Sequence, residues 1–198
     1  MATTRTKFDW QVVENFLDAP ACARLIDEIR HAKRYDALTY GKGDSGSVDN
    51  RVRRVQSATL GRETVAWVAS KLDDYLPCLR KHFNLAPGGW EDPQFLRYAT
   101  GDFFVAHQDG NTGLLQLDSD RLRRVSVSIF LNTENDMPGP DCYCGGSLVF
   151  TDRATNEKIA VRGEPGKLIA FRSELTHEVT PVTWGERFAI VTWYRIVS

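Results

Sequence analysis

The chain has 198 residues, a formal net charge of −1 and 42% hydrophobic residues, enough for one sizeable core and little more. Near-neutrality without a block of like charge argues against nucleic-acid and membrane-surface partners. The polar Met1–Trp10 start has no signal-like run, and no stretch reaches the ~18 apolar residues of a membrane span, so the expectation is a cytoplasmic protein that recognises its partner through a shaped pocket.

A strand-like piece, Trp10 to Phe16, leads into Asp18, which can cap a helix with Ala21, Leu25, Ile26 and Ile29 on its apolar face. A second helix is predicted from about Glu63 to His82, where Val65, Val68, Leu72, Leu76 and Leu79 recur at helical spacing. Pro77 is expected to kink or end it early. Between the helices, Tyr40 to Asn50 is rich in glycine and small polar residues and reads as a mobile loop that closes over a substrate.

From Gln94 onward the chain reads as short strands: Gln94 to Tyr98, Phe103 to His107, Arg124 to Asn132, Ser147 to Thr151, Lys158 to Arg162, Lys167 to Phe171, Glu178 to Val182 and Arg187 to Ile196. The predicted fold class is α+β with a β core. It is a double-stranded β-helix, or jelly roll, of about eight strands buttressed by N-terminal helices. One domain is expected over 1–198, with the helical buttress and leading strands in about 1–92 and the jelly-roll core in about 93–198. The four cysteines show neither a disulfide framework nor zinc spacing. Cys142 and Cys144 are placed in a loop near the mouth of the site, as reduced thiols.

The chemistry is concentrated in Phe104-Val-Ala-His107-Gln-Asp109. Residues two apart at a strand end point to one face, so an imidazole and a carboxylate can share a metal. His177, far along the chain, is the candidate third ligand. Two histidines and a carboxylate form the facial triad of non-haem Fe(II) oxygenases, which leaves coordination positions open. An isolated His-x-Asp carries little weight, because short motifs recur by chance; its context carries more. Arg187 stands ten residues beyond His177 in the largely apolar strand Phe188-Ala-Ile-Val-Thr-Trp193. A buried guanidinium wants a carboxylate, and a diacid would supply it.

Tyr98-Ala-Thr-Gly101-Asp-Phe-Phe104-Val-Ala-His107-Gln-Asp109 resembles the tyrosine, glycine, aromatic, His-x-Asp run of the prolyl 4-hydroxylase-like 2-oxoglutarate oxygenases. Arg124 to Asn132, Gly145 to Phe150, Pro165 to Phe171 and His177 to Arg187 resemble, in order, their later core strands. The resemblance implies Fe(II) held by His107, Asp109 and His177. It implies 2-oxoglutarate anchored by Arg187 with a hydroxyl from Tyr98, dioxygen as the second cosubstrate, and ascorbate as a stimulant. The implied reaction converts 2-oxoglutarate to succinate and carbon dioxide while hydroxylating a C–H bond. Trp193 and Phe104 would face the substrate ring, and Arg123, with Arg53, Arg54 and Arg124, would steer an anionic or carbonyl-rich substrate.

Arg187 stands where the collagen-type enzymes carry lysine, which places the chain nearer the oxygen-sensing prolyl hydroxylases and bacterial relatives. Phe130 stands where those oxygen sensors carry a tyrosine, so that hydroxyl is missing here. Asp109 separates the chain from the related halogenases. The expected substrate is a prolyl residue in a peptide or protein; the alternatives are a free amino acid or other small metabolite, and a non-catalytic metal-binding jelly roll.

Overall fold

Two helices and sixteen strands are formed within residues 8–37, 48–110 and 121–197, the part of the chain that the computed structural model describes. In chain order they are β1 (Trp10–Val13), α1 (Ala19–His31), β2 (Arg34–Asp36), β3 (Arg53–Arg54), β4 (Gln56–Ala58), α2 (Arg62–Phe83), β5 (Gly88–Trp90), β6 (Gln94–Tyr98) and β7 (Phe103–His107). Then follow β8 (Arg123–Phe130), β9 (Thr133–Glu134), β10 (Cys142–Gly145), β11 (Leu148–Thr151), β12 (Lys158–Val161), β13 (Leu168–Arg172), β14 (Thr176–Val179), β15 (Val182–Gly185) and β16 (Arg187–Ile196).

The large sheet runs β1-β13-β8-β16-β6-β4-β2, with β5 also on β16; a second runs β12-β11-β14-β7-β3, and a small third runs β15-β10-β9. Strand alternation divides the core in two. On β8, Val125, Val127 and Ile129 face the helices, where they pack with Leu25, Ile29, Val68, Leu72, Leu79 and Phe83. Phe130, on the opposite face, joins Tyr98, Phe150, Phe171, Val179 and Val182 between the two larger sheets. This is the jelly roll with a helical buttress that the periodicity predicts. The functional residues lie in its second, inter-sheet layer.

Both helices follow from their ends and stripes. Asp18 caps α1 by accepting from the Ala21 amide at 2.8 Å, and Asn84, left-handed at φ 49°, closes α2. Pro77 does not end α2, which continues to Phe83. An interior proline costs ~3 kcal/mol or more. Leu79 and Phe83, both fully buried beyond it, supply apolar burial on the order of 2–3 kcal/mol each that offsets the loss. The strands absent from the sequence reading, β2 to β5, β9, β10 and β15, have two to four residues, too few for alternation to register. The Pro138–Gly146 segment, expected as a loop, contains β10, which pairs with β15 and β9. Its Cys142 and Cys144 are buried, and all four cysteines are free thiols. The Tyr40–Asn50 loop lies, up to residue 47, outside the described residues. Among the described residues, no helix is long and apolar enough to cross a membrane.

Candidate active site

His107 ends β7, Asp109 follows two residues later, and His177 lies on β14 directly opposite His107 in the ladder. The register slips between His177 and Val179, an irregularity of the kind that re-aims side chains beside a site. One carboxylate oxygen of Asp109 lies 3.4 Å from His107 Nε2 and the other 3.4 Å from His177 Nε2. The three ligand atoms fall within 4.8 Å of one another.

Backbone carbonyls set both tautomers. His107 Nδ1 is 2.8 Å from the Val105 oxygen and His177 Nδ1 is 2.9 Å from the Leu175 oxygen. A carbonyl only accepts, so each Nδ1 carries a proton, which leaves each Nε2, on the Asp109 side, as the nitrogen available to a metal. The Asp109 main chain is pinned too, its amide donating to the Ser173 oxygen at 2.9 Å and its carbonyl accepting from Arg123 Nη1 at 3.3 Å. Phe104 stacks flat on His107 at 3.5 Å between centroids, and Phe171 meets His177 edge-on at 4.8 Å. These rings each cover one side of an imidazole.

Protonation suits a divalent cation. Burial alone raises the Asp109 carboxyl, but His177, His107 and the Ser126 hydroxyl outweigh it and hold it well below the usual carboxylate range. Burial, reinforced by His107 and opposed by Asp109, pushes His177 down to about 4. At neutral pH His177 is therefore a neutral imidazole and Asp109 a carboxylate. In the metal-free protein the unfolded chain therefore takes up the His177 proton first. Stability is lost as pH falls from 6.5 towards about 4, by on the order of 3 kcal/mol, with the Asp109 contribution lost at still lower pH. Urea denaturation across this range should show the decline in the wild type and a flatter profile in His177→Phe; equal profiles would contradict the assignment.

Arg187 opens β16 opposite Tyr98 of β6 and is 1% exposed, the largest fully buried side chain described. Its guanidinium lies 4.8 Å above the Tyr98 ring and 5.4 Å from that of Phe130. Among the described residues it has no carboxylate partner, and its Nε makes no hydrogen bond. A buried cation in that state costs several kcal/mol. Tyr98 thus meets Arg187 through its ring.

The three residues expected to face substrate are brought together in part. Arg123 lies 4.0 Å over Trp193, which is 8% exposed, while Phe104 covers His107. Arg123 is not free to steer a ligand: Glu91 accepts from its Nε at 2.7 Å and from its Nη2 at 2.6 Å. Arg53 lies over Phe104 and Arg54 over Phe103, and Arg124 donates to the Arg121 and Arg123 carbonyls. Glu91 escaped the sequence reading because a lone acidic residue between short strands carries no pattern. Breaking this largely desolvated pair in Glu91→Gln should cost about 2–3 kcal/mol and lower the melting temperature by roughly 5–10 °C. A melting temperature equal to the wild type's would show the pair to be idle.

Residues 93–195 match the family model described as the 2OG-Fe(II) oxygenase superfamily. The chain belongs to that superfamily. The chain is 30% identical over 155 residues to a PKHD-type hydroxylase of Burkholderia thailandensis, an alignment that covers 77% of this chain and 65% of the relative. It is 27% identical over 186 residues to a PKHD-type hydroxylase of Hyphomonas neptunium, covering 92% and 76%. The chain thus spans just under two thirds of the first relative's length. A Pseudomonas putida prolyl-4-hydroxylase shares its fold with a TM-score of 0.70 at 22% identity, over 97% of this chain and 95% of the other. So does a Trichoplax adhaerens prolyl hydroxylase crystallised with a hypoxia inducible factor peptide fragment, with a TM-score of 0.70 at 22% identity over 96% and 84%.

Membership of this superfamily implies Fe(II), 2-oxoglutarate and dioxygen, and the chain's own residues fit them. The imidazole–carboxylate donor set suits a non-haem iron. The orphaned Arg187 Nε suits a small diacid.

Proposed function

We propose that the protein is a 2-oxoglutarate-dependent hydroxylase acting on a prolyl residue in a peptide or protein. His107, Asp109 and His177 hold Fe(II), and Arg187 binds the far carboxylate of 2-oxoglutarate, to which Tyr98 adds a hydroxyl. The observation that carries this reading is the pairing of a preset His-Asp-His donor set with a buried arginine that lacks a carboxylate partner among the described residues. Bound iron, 2-oxoglutarate and dioxygen supply the oxidative chemistry, in which one oxygen atom enters succinate and the other a substrate C–H bond, with loss of carbon dioxide.

The chain supplies position and shielding. The Val105 and Leu175 carbonyls hold the two imidazoles in their metal-binding tautomers. Arg123 and Ser173 fix the Asp109 backbone, Phe104 packs on His107, and Phe150 and Phe171 pack on the buried His177. Trp193, held by the Arg123–Glu91 pair, offers a rigid aromatic group against which a pyrrolidine ring packs.

The PKHD-type hydroxylase relatives support a hydroxylation, and the peptide fragment in complex with the Trichoplax enzyme supports a peptidyl substrate. The test is mass spectrometry of a proline-containing peptide library after incubation with the iron-loaded protein and 2-oxoglutarate. Peptides that gain one oxygen on proline are expected. Hydroxylation only of free amino acids would move the substrate to small metabolites, and no 2-oxoglutarate consumption under any condition would leave a non-catalytic metal-binding jelly roll.

A further inference from the structure

Beside Arg187 lies a second buried polar group, the Tyr143 hydroxyl on β10, whose proton finds no acceptor among the described residues. Tyr143 is fully buried, and nothing in the reading of the triad uses it. Two glycines bring it to the arginine. A Cβ on Gly146, whose φ is +64°, would sit 3.2 Å from both Arg187 Cδ and Tyr143 Cε2, so the missing side chain lets the two pack around one point. A Cβ on Gly163 would sit 2.1 Å from the Tyr143 hydroxyl oxygen and 3.1 Å from Phe130 Cδ1. The hydroxyl therefore reaches the edge of Phe130, the ring that the Arg187 guanidinium also covers.

The Arg187 guanidinium and the Tyr143 hydroxyl thus meet in one corner, where Arg187 donates to the hydroxyl oxygen, and among the described residues the Tyr143 O–H proton and the Arg187 Nε–H meet no acceptor. Orphaned donors of this kind cost about 1–3 kcal/mol each, and a tyrosine at this point contributes no packing that phenylalanine could not. Burial pushes the hydroxyl up to about 12 against the opposing pull of the Arg187 cation, so at neutral pH it is a donor. A carboxylate is the acceptor that satisfies both groups. Phe130 offers no hydroxyl to this corner, and Tyr143 delivers one from a different strand.

We propose that Tyr143 is a cosubstrate-binding residue that donates its hydroxyl to the far carboxylate of 2-oxoglutarate alongside Arg187. This rests on the 2-oxoglutarate reading above. The test is anaerobic calorimetric titration of the Fe(II)-loaded protein with 2-oxoglutarate and, separately, with 2-oxopentanoate, which keeps the keto acid and lacks the far carboxylate. Tyr143→Phe should weaken 2-oxoglutarate binding about ten- to a hundredfold, the worth of one hydrogen bond to a charged group, and leave 2-oxopentanoate unchanged. Gly163→Ala, which displaces the hydroxyl without removing it, should lower the preference for the diacid in the same direction. Equal loss for both ligands, or no loss for either, would overturn the role of Tyr143 while leaving the family reading intact. Failure of the wild type to bind 2-oxoglutarate would overturn both.

Discussion

Asp109→Ala abolishes iron-dependent turnover and leaves the domain folded. The two remaining groups are imidazoles, so a dication loses the only negative charge in its ligand set. Altering partners that merely orient metal ligands costs ten- to a hundredfold in affinity; removing a ligand should exceed about a hundredfold. The fold should survive, because the carboxylate lies in an inter-sheet layer where its desolvation opposes its attraction to His177 and His107. The metal-free melting temperature should stay within roughly 4 °C of the wild type, about 1–2 kcal/mol for a domain of this size. Anaerobic Fe(II) equilibrium dialysis beside a circular-dichroism melt separates the two effects. Iron retained at wild-type affinity would remove Asp109 from the site, and full turnover in His107→Ala or His177→Ala would remove those ligands.

Arg187→Met raises the 2-oxoglutarate requirement and, in the ligand-free protein, raises stability. The first effect follows from losing a desolvated, charge-paired contact worth about 2–5 kcal/mol, or some thirtyfold to several thousandfold in KM. The second follows from the uncompensated cation: replacing buried charge by an apolar side chain of similar volume is often neutral or stabilising, by about 1–4 kcal/mol. The wild type should also melt higher as 2-oxoglutarate is added, a response that the variant should lose. Initial-rate kinetics and thermal melts read both signs. An unchanged KM would detach Arg187 from the cosubstrate, and a variant that melts well below the wild type would mean that the guanidinium already has its partner.

Much of this architecture is written in local patterns. The alternation along Arg124 to Asn132 marks a strand with one face to the helices and one to the second sheet, and the spacing of Val68, Leu72 and Leu79 marks α2 in spite of Pro77. His107 and Asp109 stand out because two-residue spacing on a strand end points both the same way, and Arg187 because a charge in an apolar strand must have a reason. What escaped detection depends on contacts between distant segments. Glu91 acquires its meaning only when β16 and β8 bring Arg123 and Trp193 against it. Tyr143 lies in Pro138-Gly-Pro-Asp-Cys-Tyr-Cys-Gly-Gly, where turn residues hide a four-residue strand, and its hydroxyl finds Arg187 through the room that Gly146 and Gly163 leave. The nine predicted strands became sixteen among the described residues for the same reason: the seven additional ones are defined by the neighbour they pair with and not by their own composition.

The most direct test of the central claim is succinate released from 2-oxoglutarate by anaerobically Fe(II)-loaded protein once dioxygen is admitted, measured for the wild type and for Asp109→Ala side by side. Succinate that forms only with iron, 2-oxoglutarate and dioxygen all present, and only in the wild type, is the predicted result. Succinate formation that is absent from the iron-loaded wild type, or equal in the two proteins, would contradict the account.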